Sequence, residues 1–119
     1  MCSTATREIM ERIKNSTTKA VREDDISLTR DRLYLLMYDG PKDVSEELVE
    51  ARHAIYHTPE FQQNLDNLLC LQNMEIRQRN LMQTDRLQRI TAPTLVVWGN
   101  ENPFGEVPEA TKMHEAIAG

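Results

Sequence analysis

His53 and His57 lie four residues apart, with Glu50 three residues before the first of them. On a helix all three would share one face and imitate the spacing of a metal-binding pair. The residues between the histidines are Ala54, Ile55 and Tyr56, so the H-E-x-x-H pattern is not met. No second ligand group appears elsewhere, and the sequence reads the two as a packed or solvated pair with no metal or cofactor. His114, beside Glu115, reads as a surface residue rather than a base. Nucleophilic chemistry is equally hard to place. None of Ser3, Ser16, Ser27 and Ser45 has a glycine two places to either side, which excludes a G-x-S-x-G elbow. Cys2 and Cys70 have no paired spacing for a disulfide framework or a zinc site, and a reducing compartment fits them best.

The elements that must position these groups are mostly helical. With 4 Gly and 5 Pro in 119 residues, turn chemistry is sparse, and only Pro41 and Pro59 precede Pro93. A weak apolar stripe (Ile9, Met10, Ile13, Ala20) predicts a helix over 7–20, interrupted by Ser16-Thr17-Thr18. After a solvated connection at 22–25, Thr29 is the expected cap of a helix carrying Leu33, Leu36 and Met37, which stops at Asp39-Gly40-Pro41. Ser45 is the next cap, with Glu46 and Glu47 in the first turn and Leu48, Ala51 and Ile55, joined by Val44, as the buried stripe. Thr58-Pro59-Glu60 is the clearest start signal, because Thr caps and Pro suits the first helical position. The spacing of Phe61, Leu65, Leu68, Leu69, Gln72 and Ile76 predicts one long helix from it to Ile76 or Leu81. Shorter helices are expected from Thr84, carrying Leu87 and Ile90, and over 108–118.

The pattern changes at Ala92-Pro93-Thr94-Leu95-Val96-Val97-Trp98-Gly99, an apolar, β-branched run bracketed by Pro and Gly. It predicts a buried strand over about 94–98, apolar on both faces like a central strand of a parallel sheet, with Trp98 packed at its end. No other segment offers it a partner, so the chain reads as a piece of something larger. The net charge of -5, with basic residues scattered along helices, gives no footprint for nucleic acid. No apolar run reaches the length of a membrane span, and the first residues do not form a signal peptide. A cytoplasmic, soluble chain with no membrane partner is expected.

The stretch from Arg89 to Gly99, continuing through Asn100-Glu101-Asn102-Pro103-Phe104, resembles the strand and loop that carry the catalytic acid in the α/β-hydrolase superfamily. Leu33-Tyr34-Leu35-Leu36-Met37-Tyr38-Asp39, Ser45 to Arg52, and Thr58-Pro59-Glu60-Phe61 are similar to the cap of the meta-cleavage product hydrolases. Those enzymes split carbon–carbon bonds in vinylogous 1,5-diketones formed by aromatic ring fission. The resemblance implies an α/β fold class, as an α/β-hydrolase fragment with a helical cap at 1–88 and a piece of the core at 89–119.

It also implies a Ser nucleophile before the cap and a His beyond the strand, neither of which this chain supplies. Arg52 falls where the family's cap arginine binds the substrate's carboxylate or dienol oxygens. The residues alone offer a plainer role for it, as a surface cation paired with Glu47 or Glu50. Asn102 stands at the position of the family's catalytic Asp, and an amide cannot stabilise an imidazolium by charge. In a serine protease the equivalent change costs about 10⁴ in turnover. Glu101 is the neighbouring carboxylate that would have to substitute. The expected function is a hydrolase acting on a small-molecule substrate, inactive alone. An ester- or epoxide-type hydrolase fragment and a non-catalytic helical module, including a homo-oligomer, are the alternatives.

Overall fold

The computed structural model describes residues 6–102 and 105–119. In helix α1 (Arg7–Arg22), the Thr6 hydroxyl accepts from the Ile9 amide at 3.3 Å. Glu8 in its first turn and Lys19 and Arg22 in its last match the helix dipole. The Ser16-Thr17 pair does not interrupt it. Both hydroxyls donate back to the Ile13 carbonyl, at 3.1 and 2.8 Å, so their competition with the backbone is resolved within the helix.

Helix α2 (Ile26–Tyr34) is capped by Asp25, which accepts from the Ser27 amide at 2.9 Å. Those hydrogen bonds hold the Asp25 carboxyl below its usual range. Thr29, expected as the cap, lies inside the helix and is fully buried. A short helix, α3 (Gly40–Asp43), follows. A Cβ on Gly40 would stand 2.7 Å from the Tyr34 Cα, so this close crossing requires glycine.

Helix α4 (Glu46–Tyr56) begins as expected, with the Ser45 hydroxyl accepting from Leu48 N at 3.2 Å. Its buried face is rotated from the expected one. Val49 and Tyr56 face the core, while Ala51 and Ile55 are exposed. The core forms two clusters. Ala20, Val21, Tyr56 and Leu65 make one, with Leu28, Phe61 and Leu69 against it. Leu33, Val44 and Val49 make the other, with Tyr34 and Leu48 against it. Helices α1, α2 and α4 therefore pack mutually and carry most of the buried apolar surface.

The long helix predicted after Thr58 is broken. Thr58 does cap, accepting from Phe61 N at 3.3 Å, but the chain then forms α5 (Pro59–Gln63), α6 (Leu65–Leu68), a 3₁₀ turn (Cys70–Gln72) and α7 (Met74–Arg79). Asparagines account for the breaks. Asn64 turns its side-chain amide onto the Glu60 carbonyl at 2.9 Å, and Asn73 Oδ1 accepts from Glu75 N at 2.9 Å to start α7 afresh. Helix α8 (Thr84–Leu87) buries Leu87, and α9 (Val107–Ala116) packs chiefly on α8.

The expected α/β fold class is corrected here: among the described residues the chain is mainly α, with no strand and no sheet. Residues 93–99 form no regular element and pair with no described backbone, because a strand exists only through a neighbour's backbone and the helices supply none. The expected burial of both faces fails with it. Leu95 is 87% exposed and Val97 81%, whereas Val96 and Trp98 line a shallow hollow with Val107 and Ala110 of α9. Successive side chains of this segment alternate between α9 and solvent, and only one set finds a helix to cover it. No described helix is long and apolar enough to cross a membrane.

Candidate functional site

Where α1, α2 and α4 meet, two guanidinium groups come together. Arg32, on α2, is 8% exposed and donates from Nε to the Thr17 hydroxyl of α1 at 2.8 Å. Its Nη1 is buried and has no hydrogen-bond partner. Burial pushes the Arg32 guanidinium below its ordinary range, Tyr56 opposes that push, and the charge of Arg52 adds to it. Arg52, on α4 and half-buried, stacks its guanidinium carbon 5.8 Å from the Tyr56 ring centroid. It makes no ion pair with Glu47 or Glu50, the plainer role the sequence offered. Two cations and a phenol thus share one corner of the bundle, and one buried donor there is left open. An unmade hydrogen bond from a buried charged group costs about 1–3 kcal/mol or more, so Arg32 is held there at a cost to stability.

The position assigned to the catalytic acid lies elsewhere. Asn102 is half-buried in the turn after the segment 93–99, its amide donating to the Gly99 carbonyl at 3.3 Å, and Glu101 beside it is exposed. Pro103 and Phe104 of that motif lie outside the described residues. This turn leads to α9 and its α8 contact, whereas Arg52 belongs to the α1, α2 and α4 bundle. His114, on α9, lines the hollow with Val96 and Trp98.

A second group of polar side chains gathers where α1 and α4 both end. His53 Nδ1 lies 3.0 Å from the Thr29 hydroxyl, and its Nε2 lies 3.3 Å from Asp24 Oδ1. This is a hydroxyl, imidazole and carboxylate in sequence, the order a hydrolytic triad needs. Thr29 has no exposed surface, so its oxygen cannot meet a substrate carbon and the chain is not a triad. His57, the C-cap of α4, has Nδ1 2.8 Å from the His53 carbonyl and Nε2 3.2 Å from the Glu23 carbonyl. The two rings are 4.2 Å apart. Glu50, the carboxylate that sequence spacing placed with the histidines, is replaced in space by Asp24 from the connection between α1 and α2. A helix heptad cannot reveal Asp24, because it arrives through tertiary packing; the only trace in the sequence is the acidic run Glu23-Asp24-Asp25.

No protein-family model matches the chain, and no curated protein or solved structure matches it.

Proposed function

We propose that this chain is the substrate-covering helical part of a hydrolase that splits carbon–carbon bonds in aromatic ring-fission products. Its part in that chemistry is to hold a substrate carboxylate on Arg52, with Arg32 beside it. The observation that carries this reading is the half-buried guanidinium of Arg52, stacked on Tyr56 beside the buried cation of Arg32. A carboxylate meets the planar donors of a guanidinium with both oxygens, and its charge offsets the repulsion between the two arginines. Tyr56 covers one face of the Arg52 guanidinium, which lowers the local polarity and strengthens the attraction.

Bond cleavage needs a nucleophile and a base that these residues do not assemble. Thr29 is enclosed, no serine sits in an elbow, and Asn102 holds no charge, so the reading confines this chain to binding and covering the substrate. A reducing, cytoplasmic setting is proposed with it, supported by the free thiol of Cys70.

Titration of the full chain with a ring-fission dienoate, followed by the absorbance of its dienolate, tests the proposal. Arg52→Gln is expected to weaken binding about tenfold or more, the worth of a hydrogen bond to a charged group. Arg32→Met is expected to weaken binding while leaving the melting temperature unchanged or raised, since it removes an uncompensated buried charge. Equal affinity in wild type and Arg52→Gln, or no binding by wild type, overturns it. A second reading, a non-catalytic interaction module, is favoured by the exposed side chains of Leu95 and Val97. Concentration-dependent sedimentation abolished by Leu95→Lys would support that reading instead.

A further inference from the structure

We infer that Asp24, His53, His57 and the Glu23 carbonyl form a four-ligand site for a divalent cation of the zinc class, clipping the end of α1 to the end of α4. The first support is a matter of spacing. A tetrahedral ion with bonds of 2.0–2.1 Å sets its ligands about 3.3–3.4 Å apart. His53 Nε2 and Asp24 Oδ1 are 3.3 Å apart, and His57 Nε2 and the Glu23 oxygen are 3.2 Å apart. The side-chain ligand atoms of Asp24, His53 and His57 all lie within 4.8 Å of one another.

The second support is how each ring is held. His53 presents Nδ1 to the Thr29 hydroxyl and His57 presents Nδ1 to the His53 carbonyl, at 3.0 and 2.8 Å. Each contact orients a ring with Nε2 turned to the Glu23-Asp24 corner, the outer-shell arrangement that fixes a metal-binding histidine. His57 has a pair of contacts that a cation at Nε2, or a second ring proton, completes. Both of its nitrogens face carbonyl oxygens, which only accept, whereas a neutral imidazole has a single N–H to give.

The third support is charge. Helices α1 and α4 both end here, so the negative ends of two dipoles converge, and Glu23 is the C-cap of α1. Asp25 adds its field to His53. Arg22 shares a hollow with His57 and opposes a cation, but as an exposed group on a flexible stem it can turn away. With four protein ligands the site is closed, which makes it structural rather than catalytic.

The test uses the full chain, stripped with chelator and titrated with Zn²⁺ by calorimetry, and with Co²⁺ by visible absorption. One ion per chain, a raised melting temperature and the intense absorption of tetrahedral Co²⁺ are expected. Asp24→Asn, at an exposed position, and His57→Gln are each expected to weaken binding at least about tenfold. Glu50→Gln is expected to leave it unchanged. No binding by wild type, or equal binding by Asp24→Asn and His57→Gln, would overturn the inference, as would a loss caused by Glu50→Gln. A dienoate titration of the metal-free chain separates this result from the fate of the Arg52 reading.

Discussion

The α1, α2 and α4 bundle and the segment 93–99 are both rich in apolar residues, yet they meet opposite fates. Val21, Leu33 and Val49 are 0–2% exposed, while Leu95 and Val97 lie more than four-fifths in water. The difference is not hydrophobicity but the supply of partners. A helix satisfies its own backbone and needs only a neighbour for its stripe, whereas an extended run needs a neighbour for its backbone as well. The first demand is met by other helices of the chain; the second is met by nothing among the described residues.

Paired truncations break this comparison most directly. Leu33→Ala should cost about 2–5 kcal/mol in urea unfolding, because it opens a cavity in the second cluster. Leu95→Ala should change stability by no more than about 0.5 kcal/mol, since its side chain has little contact to lose. Equal losses at the two positions would mean that the segment is covered after all. A smaller effect sharpens the account of the bundle. Ser45→Ala removes the cap of α4 and should cost about 1 kcal/mol, measured as a fall in the urea midpoint at constant slope.

The smallest effect concerns the surface link between α2 and α4. Arg30 donates to both carboxylate oxygens of Glu46, at 3.1 and 2.6 Å, and holds that carboxyl below its usual range. A lowered folded value means the contribution is present above the ordinary glutamate range and is lost as pH falls through the folded value. Wild type and Glu46→Gln should therefore differ slightly in melting temperature at neutral pH and converge in acid. Raised salt should narrow the neutral-pH gap, because both side chains meet solvent.

Local rules read much of the helical part correctly. Ser45 and Thr58-Pro59 start helices where capping chemistry says they must, and the helices near 84 and 108 are present. The phase of α4 was misread because Leu48, Ala51 and Ile55 are apolar, while the face that packs on α1 and α2 carries Arg52, His53 and Tyr56. Polar residues at a helix crossing look like solvent-facing ones until the crossing is known. The broken stretch after Thr58 was legible in principle, since Asn64, Asn73 and Asn80 punctuate it, but the leucine stripe outweighed them. For 94–98 the composition points to a buried strand that the structure does not contain, because strand formation is a property of two segments. Arg32 and Asp24 escaped attention for a related reason. Each gains its meaning from a residue far along the chain: Arg32 from Thr17 and Arg52, and Asp24 from His53.

The interrupted run from Pro59 to Arg79 has a consequence for how the molecule breathes. None of its pieces exceeds six residues, well short of the dozen or so that a lone helix needs to persist in water. Each turn holds its shape only while docked, and Leu65 is the one fully enclosed anchor among them. Amide protons there should exchange through small, independent openings and faster than those of α1 in hydrogen-exchange measurements, and limited proteolysis should make its first cut in the same place.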